Sequence, residues 1–314
     1  MRPTQTTSLN ARLSGVWRLA RFKDYAFSVV FTTCLGVAAS GGSFGWQMIL
    51  VLLANWLAVG FAFMFNDAED APDDALTPEK AARNPVTNGT LTLREAYIAS
   101  FGVAALATLA YLPLGWLPTV CGVLCMLFGH LYSWRRLRLK SVPILDVLSH
   151  GFMLASLQML AAFLTFTDTL NTALIAPMIS MTCASFYGQL YNELRDLEGD
   201  RAAGVHHTAS LLGSKITQTL AHSLLILSIL AGLYALFVQW IAPSYVILIS
   251  LGFLIVFVLW PILQSRLRKA DKLEADLPIV NGLPFVGTIM MFLWFVVPWL
   301  DRFVVPWLGR FVAR

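Results

Sequence analysis

Two stretches decide the reading of this chain: Phe65-Asn66-Asp67-Ala68-Glu69-Asp70-Ala71-Pro72-Asp73-Asp74 and Tyr191-Asn192-Glu193-Leu194-Arg195-Asp196-Leu197-Glu198-Gly199-Asp200. A shift of 126 residues superposes an aromatic, Asn66 on Asn192, Asp67 on Glu193, Asp70 on Asp196 and Asp74 on Asp200. Each stretch closes a long apolar run. The shift carries the second such run onto the sixth, four runs later and so in the same orientation. That is the pattern of two four-helix halves in parallel repeat, with a further helix appended.

Working outward, 57% of the 314 residues are apolar and only 13% are charged, about half the share of a soluble domain. Apolar runs at 25–41, 46–66, 94–112, 116–134, 143–166, 172–193, 216–240, 244–264 and 283–300 each suit a hydrocarbon core of about 30 Å. None shows the ten-residue alternation of a membrane barrel. The expected fold is all-α: a polytopic membrane protein with nine transmembrane helices. A polar N-terminal segment (1–24) precedes this transmembrane domain (25–300), and an interfacial tail (301–314) follows it. The run from Tyr25 imitates a signal peptide, and we read it as an uncleaved first span. Cys34, Cys121, Cys125 and Cys183 fall inside apolar runs without ligand spacing and are expected to be buried thiols.

Charge placement supplies the topology. Of the 22 Lys and Arg residues, all but Arg302, Arg310 and Arg314 fall before span 1 or after spans 2, 4, 6 and 8. The intervening loops hold none. The positive-inside rule then places the N-terminus and these loops in the cytoplasm of a multi-pass protein of a bacterial inner or plasma membrane. The net charge of +4 is thus topological, and a nucleic-acid partner is not expected.

Of 18 Asp and Glu residues, six lie between Asp67 and Glu79 and four between Glu193 and Asp200. Spacing of i, i+4, i+8 sets Asn, Asp and Asp on one helical face. Pro72 and Gly199 are expected to end or bend each helix, so that Asp74 and Asp200 project from loops. Hard oxygen donors at a helix end suit Mg²⁺, and two such faces opposite one another would grip a diphosphate through metal ions. A calcium loop lacks its 12-residue pattern here. An ion-coupled carrier would place acidic groups near mid-membrane, where these spans have almost none.

At these residues the chain resembles the UbiA superfamily of intramembrane prenyltransferases. Asn66, Asp67, Asp70 and Asp74 fit the N-D-x-x-D-x-x-x-D motif after helix 2, and Asp196 and Asp200 fit the D-x-x-x-D motif after helix 6. Tyr132-Ser133, Leu137-Arg138-Leu139-Lys140, Pro143 and Asp146 are similar to its 4–5 loop. Trp134-Arg135-Arg136 and His206-His207 depart from the usual wording. The resemblance implies a nine-helix bundle and a Mg²⁺-dependent transfer of an isoprenyl group from an isoprenyl diphosphate to a lipophilic or aromatic acceptor in the bilayer. It implies Asn66, Asp70, Asp74, Asp196 and Asp200 as metal ligands, the four Asp being the catalytic set. Asn66, Asp67, Asn192, Arg83, Arg138, Lys140 and Tyr132 would bind substrate. A membrane terpene cyclase of the same superfamily would need the same ionising machinery, so both readings stand at this point. Arg135, Arg136 and the 266–272 run are read as topological, and His206 and His207 as a solvated pair. The tail repeats Val-Val-Pro-Trp-Leu (296–300, 304–308), for which the sequence offers no function.

Overall fold

The computed structural model describes residues 8–202 and 206–235, with side chains left out from 198 to 202. The spans expected at 244–264 and 283–300, the end of 216–240, the 266–272 run and the repeated tail lie outside the described residues. Within them every element is helical. Six helices are long and apolar enough to cross a membrane, and Ala26–Ala39 is a shorter apolar one. Together they match the first seven expected spans.

Local sequence sets most boundaries. Helix α1 (Leu9–Ala20) starts where the Ser8 hydroxyl accepts from the Ala11 N–H and ends at Arg21 in the left-handed region. It was not expected from the sequence. Helices α2 (Ala26–Ala39) and α3 (Trp46–Asp74) follow, then a short α4 (Pro78–Arg83), with proline in its first turn. Helix α5 (Leu93–Tyr111) opens on a Thr92/Glu95 capping box. Gly115, at φ 120°, turns the chain into α6 (Trp116–Ser133). The fifth span is two pieces, α7 (Leu145–Gly151) and α8 (Leu157–Leu164), joined by a π-helical turn at Phe152–Ser156. After α9 (Ile175–Ala202) come a short α10 (Thr208–Leu212) and α11 (Ser214–Tyr234).

The repeat is visible in the packing. Helix α3 packs chiefly on α5, and its counterpart α9 chiefly on α11, the equivalent of α5 under the same shift. A short helix, α4 or α10, follows each acidic stretch. The halves meet where α2 and α6 lie against α8. At Gly36 a Cβ would overlap the Met159 carbonyl oxygen and lie 2.9 Å from Ala162 Cβ, a close small-residue contact of the kind that holds membrane helices together.

One expectation fails: neither breaker ends its helix. Helix α3 runs through Pro72 to Asp74 and α9 through Gly199 to Ala202. Pro72 sits in the last turn, where a single N–H is lost, and nearby carbonyls find side-chain donors. The Asp67 oxygen accepts from Asn84 Nδ2 at 2.7 Å and the Ala71 oxygen from Thr87 Oγ1 at 2.9 Å. A helical glycine costs only about 1 kcal/mol.

Inside the bundle, polar groups pair with one another. Asn55 donates to Thr33 Oγ1 at 2.8 Å and to the Gln158 carbonyl at 3.3 Å, and accepts from the buried Tyr111 hydroxyl. In the π turn the Leu157 N–H returns to the Phe152 carbonyl, and the Met153 carbonyl takes Gln158 Nε2 and Cys125 Sγ, each at 2.9 Å. All four cysteines are buried free thiols.

The α2–α8 contact has a direct test. Gly36→Ala should destabilise the bundle by roughly 1–3 kcal/mol, because backbone must move. Gly102→Ala on α5, where a Cβ meets nothing within 4 Å, should be neutral or stabilising by about 0.5–1 kcal/mol. Thermal unfolding in one detergent compares the two.

Candidate functional site

The last two turns of α3 crowd Asp67, Glu69, Asp70, Asp73 and Asp74 at a helix C-terminus, whose dipole already carries negative charge. Cations arrive from two distant segments. Arg21, just after α1, places Nη1 3.1 Å from Asp67. Burial pulls its pKa down, but Asp67 and Asp24 outweigh burial and hold it above the ordinary arginine value. The loop after α6 brings the others. Arg135 Nη2 lies 2.9 Å from Asp73, and its backbone N–H donates to Glu69 at 3.0 Å. Arg138 contacts Asp73 at 2.5 Å and Asp70 at 3.5 Å, from a left-handed backbone (φ 45°). Tyr97 completes the set, its hydroxyl donating to Glu69 at 2.7 Å.

Lys140 is the centre of this arrangement. Its ammonium donates to Asp70 and, at 3.2 Å, to the Asn66 amide oxygen, which also accepts from Ser133 Oγ at 2.8 Å. Two oxygen donors one helical turn apart therefore converge on a single cationic point. Among the described residues no group of three or more Asp, Glu, His or Cys side chains is arranged to hold a metal ion by itself. The oxygen-only pair nevertheless suits a hard cation such as Mg²⁺ that takes its remaining ligands from substrate and water.

The other members of the first stretch face inward. Asp67 is 2% exposed and turned to Arg21. Asp74 accepts from Asn84 Nδ2 at 2.8 Å, and the same amide holds the Asp67 carbonyl, so Asn84 ties the α4 loop to α3. Arg83 ends α4 with an exposed side chain, and its carbonyl accepts from Arg18.

In the second stretch Asn192 is exposed, and Asp196, partly exposed, pairs with Arg195 at 3.2 Å. The side chain of Asp200 lies outside the described residues. Glu193, the counterpart of Asp67, is 4% exposed. It accepts from Gln189 Nε2 at 2.8 Å and from the Ala209 N–H at 3.0 Å. Asp146, fully buried, accepts from the Thr208 N–H and hydroxyl, each at 2.5 Å. Thr208 Oγ1 in turn accepts from the N–H of Ile144, a β-branched residue at φ 75°. Backbone strain there is held by the knot around Thr208. Tyr132 lies within electrostatic reach of Glu193, Asp146 and Asp70, between the two acidic stretches.

Two readings from sequence are corrected. His207 is not solvated: it is 2% exposed and caps α10, its Nδ1 accepting from the Ser210 N–H, whereas His206 is exposed. Arg135 does more than orient the chain, since it binds Glu69 and Asp73. Arg21, Glu69 and Asp73 carried no signal beyond their charge. Asp146 and Glu193 were legible as motif positions, but not their partners.

The Asn84 tether yields a prediction. Asn84→Ala leaves Asp74 and a buried carbonyl without their donor, at a cost of about 1–3 kcal/mol. Trypsin should then cut after Lys80 and Arg83 several times faster. An unchanged rate would show that the loop is held elsewhere.

Comparison with known proteins agrees with this geometry. The model of the UbiA prenyltransferase family matches residues 28–296. A digeranylgeranylglyceryl phosphate synthase of Methanobrevibacter smithii is 26% identical over 263 residues, covering 80% of this chain and 86% of that protein. One from Sulfolobus acidocaldarius is 24% identical over 247 residues, covering 77% and 82%. A UbiA homologue from Archaeoglobus fulgidus, solved with GPP and Mg²⁺, superposes with a TM-score of 0.69 at 17% identity over 90% of this chain and 99% of that one. An apo UbiA homologue from Aeropyrum pernix gives 0.62 at 19% identity over 86% and 99%. At such identities the structural likeness shows the fold.

Proposed function

The chain belongs to the UbiA prenyltransferase family, a multi-pass membrane family, and we propose that it moves an isoprenyl group from an isoprenyl diphosphate to a lipophilic acceptor within the bilayer. The observation that carries this reading is the convergence of Asn66 and Asp70 on one cationic point, with Arg138 beside it, at the polar end of an apolar bundle. The curated relatives are named as synthases of this kind. The Archaeoglobus fulgidus homologue was solved with GPP or DMAPP together with Mg²⁺.

In this reading Asn66, Asp70, Asp74, Asp196 and Asp200 hold Mg²⁺, which when bound neutralises the diphosphate and stabilises it as a leaving group. Asp74 shares its carboxylate with Asn84, so it would serve from a fixed position. Lys140, Arg138 and Arg83 supply donors to diphosphate oxygens, and Asp67 and Asn192 support their respective stretches. The allylic C–O bond breaks with its electron pair leaving on the diphosphate. The apolar interior keeps water from the cation, and Tyr132 stands at the boundary between the polar end and that interior. The acceptor's nucleophilic atom forms the new bond and loses its proton. The positive-inside rule favours a cytoplasmic site, in a bundle of nine spans.

Three outcomes test this. Chelation of washed membranes should abolish product, and added Mg²⁺ should restore it. Asp70→Asn or Asp196→Asn should lower turnover on the order of a hundredfold or more with normal insertion. Asp168→Asn, in the exposed loop between α8 and α9, should change nothing. Purified protein given geranylgeranyl or farnesyl diphosphate should yield prenylated product only with a lipophilic acceptor present. A defined cyclic terpene formed without acceptor, and lost in Asp70→Asn, would replace transfer by cyclisation.

A further inference from the structure

Helix α1 shows two unlike faces. Leu9, Leu13 and Trp17, at i, i+4 and i+8, are 71%, 61% and 64% exposed and form one apolar stripe. The opposite face is bound to the protein. Gly15 lies where a Cβ would be 2.9 Å from Leu91 Cγ, and Leu19 is buried with Met64, Ala68 and Leu91. Three arginines fix the orientation. Arg12 pairs with Glu95 at 2.8 Å and Arg21 with Asp67 at 3.1 Å. Arg18 Nη2 donates to the Ala82 and Arg83 carbonyls at 2.8 and 2.9 Å. Helix α1 therefore cannot roll its stripe inward without losing these bonds.

We infer that α1 lies in the bilayer surface, with Leu9, Leu13 and Trp17 at the headgroup–acyl boundary, and that this docking steadies the segment carrying Arg83. Continuity selects lipid as the occupant. Five residues separate the end of α1 from the start of α2, an apolar helix of the bundle, a reach of about 21 Å at most. Aromatic rings bridge that gap: Trp17 lies 6.0 Å from Phe22, and Phe22 lies 5.5 Å from Trp56 on α3. Half-exposed Phe27 extends the apolar strip along α2. Exposed Arg18 and Lys23 flank it, as anionic headgroups favour. Because Arg18 grips the last carbonyls of α4, anchoring α1 fixes the depth of the loop that follows the first acidic stretch.

The test does not depend on activity. In the full chain, Leu13→Cys adds an exposed thiol where the four native thiols are buried, so an environment-sensitive dye labels it selectively. In vesicles of phosphatidylcholine and phosphatidylglycerol its emission should shift to the blue and be quenched by shallow spin-labelled lipid at least about twofold more than by iodide. A label at Ser14→Cys, about 100° further round the helix, should show the reverse. Iodide quenching at Leu13→Cys as free as at Ser14→Cys would mean that the stripe faces water. Protection from both quenchers would mean that protein, whether residues 236–314 or a second copy, covers it; either result overturns the proposal. For the linkage, Trp17→Asp should speed trypsin cleavage after Arg83 severalfold in the same vesicles at unchanged thermal midpoint. An unchanged rate would refute the coupling to α4.

Discussion

Five carboxylates in two turns at the C-terminal end of α3 are an electrostatic load that no isolated helix would carry. Like charges sit at i, i+3 and i+4, and the helix dipole adds its own negative end. The fold answers by bringing positive charge from far along the chain: Arg21 from before the first span, and Arg135, Arg138 and Lys140 from beyond the fourth. The position of the α6–α7 loop and the docking of the N-terminal segment both follow from this need. The same balance prepares the end of the bundle for an anion, because cations that face carboxylates also face whatever those carboxylates help to hold.

The two halves solve one problem in different ways. Asp67 and Glu193 occupy equivalent positions and are both almost fully buried. Asp67 reaches back to Arg21, whereas Glu193 reaches forward to the Ala209 N–H. Each loop after an acidic stretch is tied down, by Asn84 in one half and by Asp146 with Glu193 in the other. The repeated helix face dictates burial at this position; the partner depends on which segment passes nearby.

The architecture was readable because hydropathy and charge placement are strong, additive signals spread over many residues. The first seven spans coincide with described helices, and the acidic stretches lie at equivalent helix ends. Much of the rest depends on contacts across 46 to 66 residues, such as Arg21 with Asp67 and Arg135 with Glu69, to which local pattern is blind. Arg135 shows why: topology alone accounts for a basic residue there, so its pairing adds nothing detectable to the sequence. His207 beside His206 reads as a polar loop until the chain folds one of them inward. Pro72 misleads in the other direction, since a breaker in a last turn forfeits only a single backbone bond.

The π turn at Phe152–Ser156 changes the angular phase of the fifth span. One residue more than an α-helix needs delays everything after it by about 100°. Helix α7 consequently presents one set of residues to α9, while α8 turns another toward α2. No single helical wheel describes both. Relatives that lack the extra residue will align with the upper half of this span or the lower half, but not with both, unless a gap is opened inside the helix.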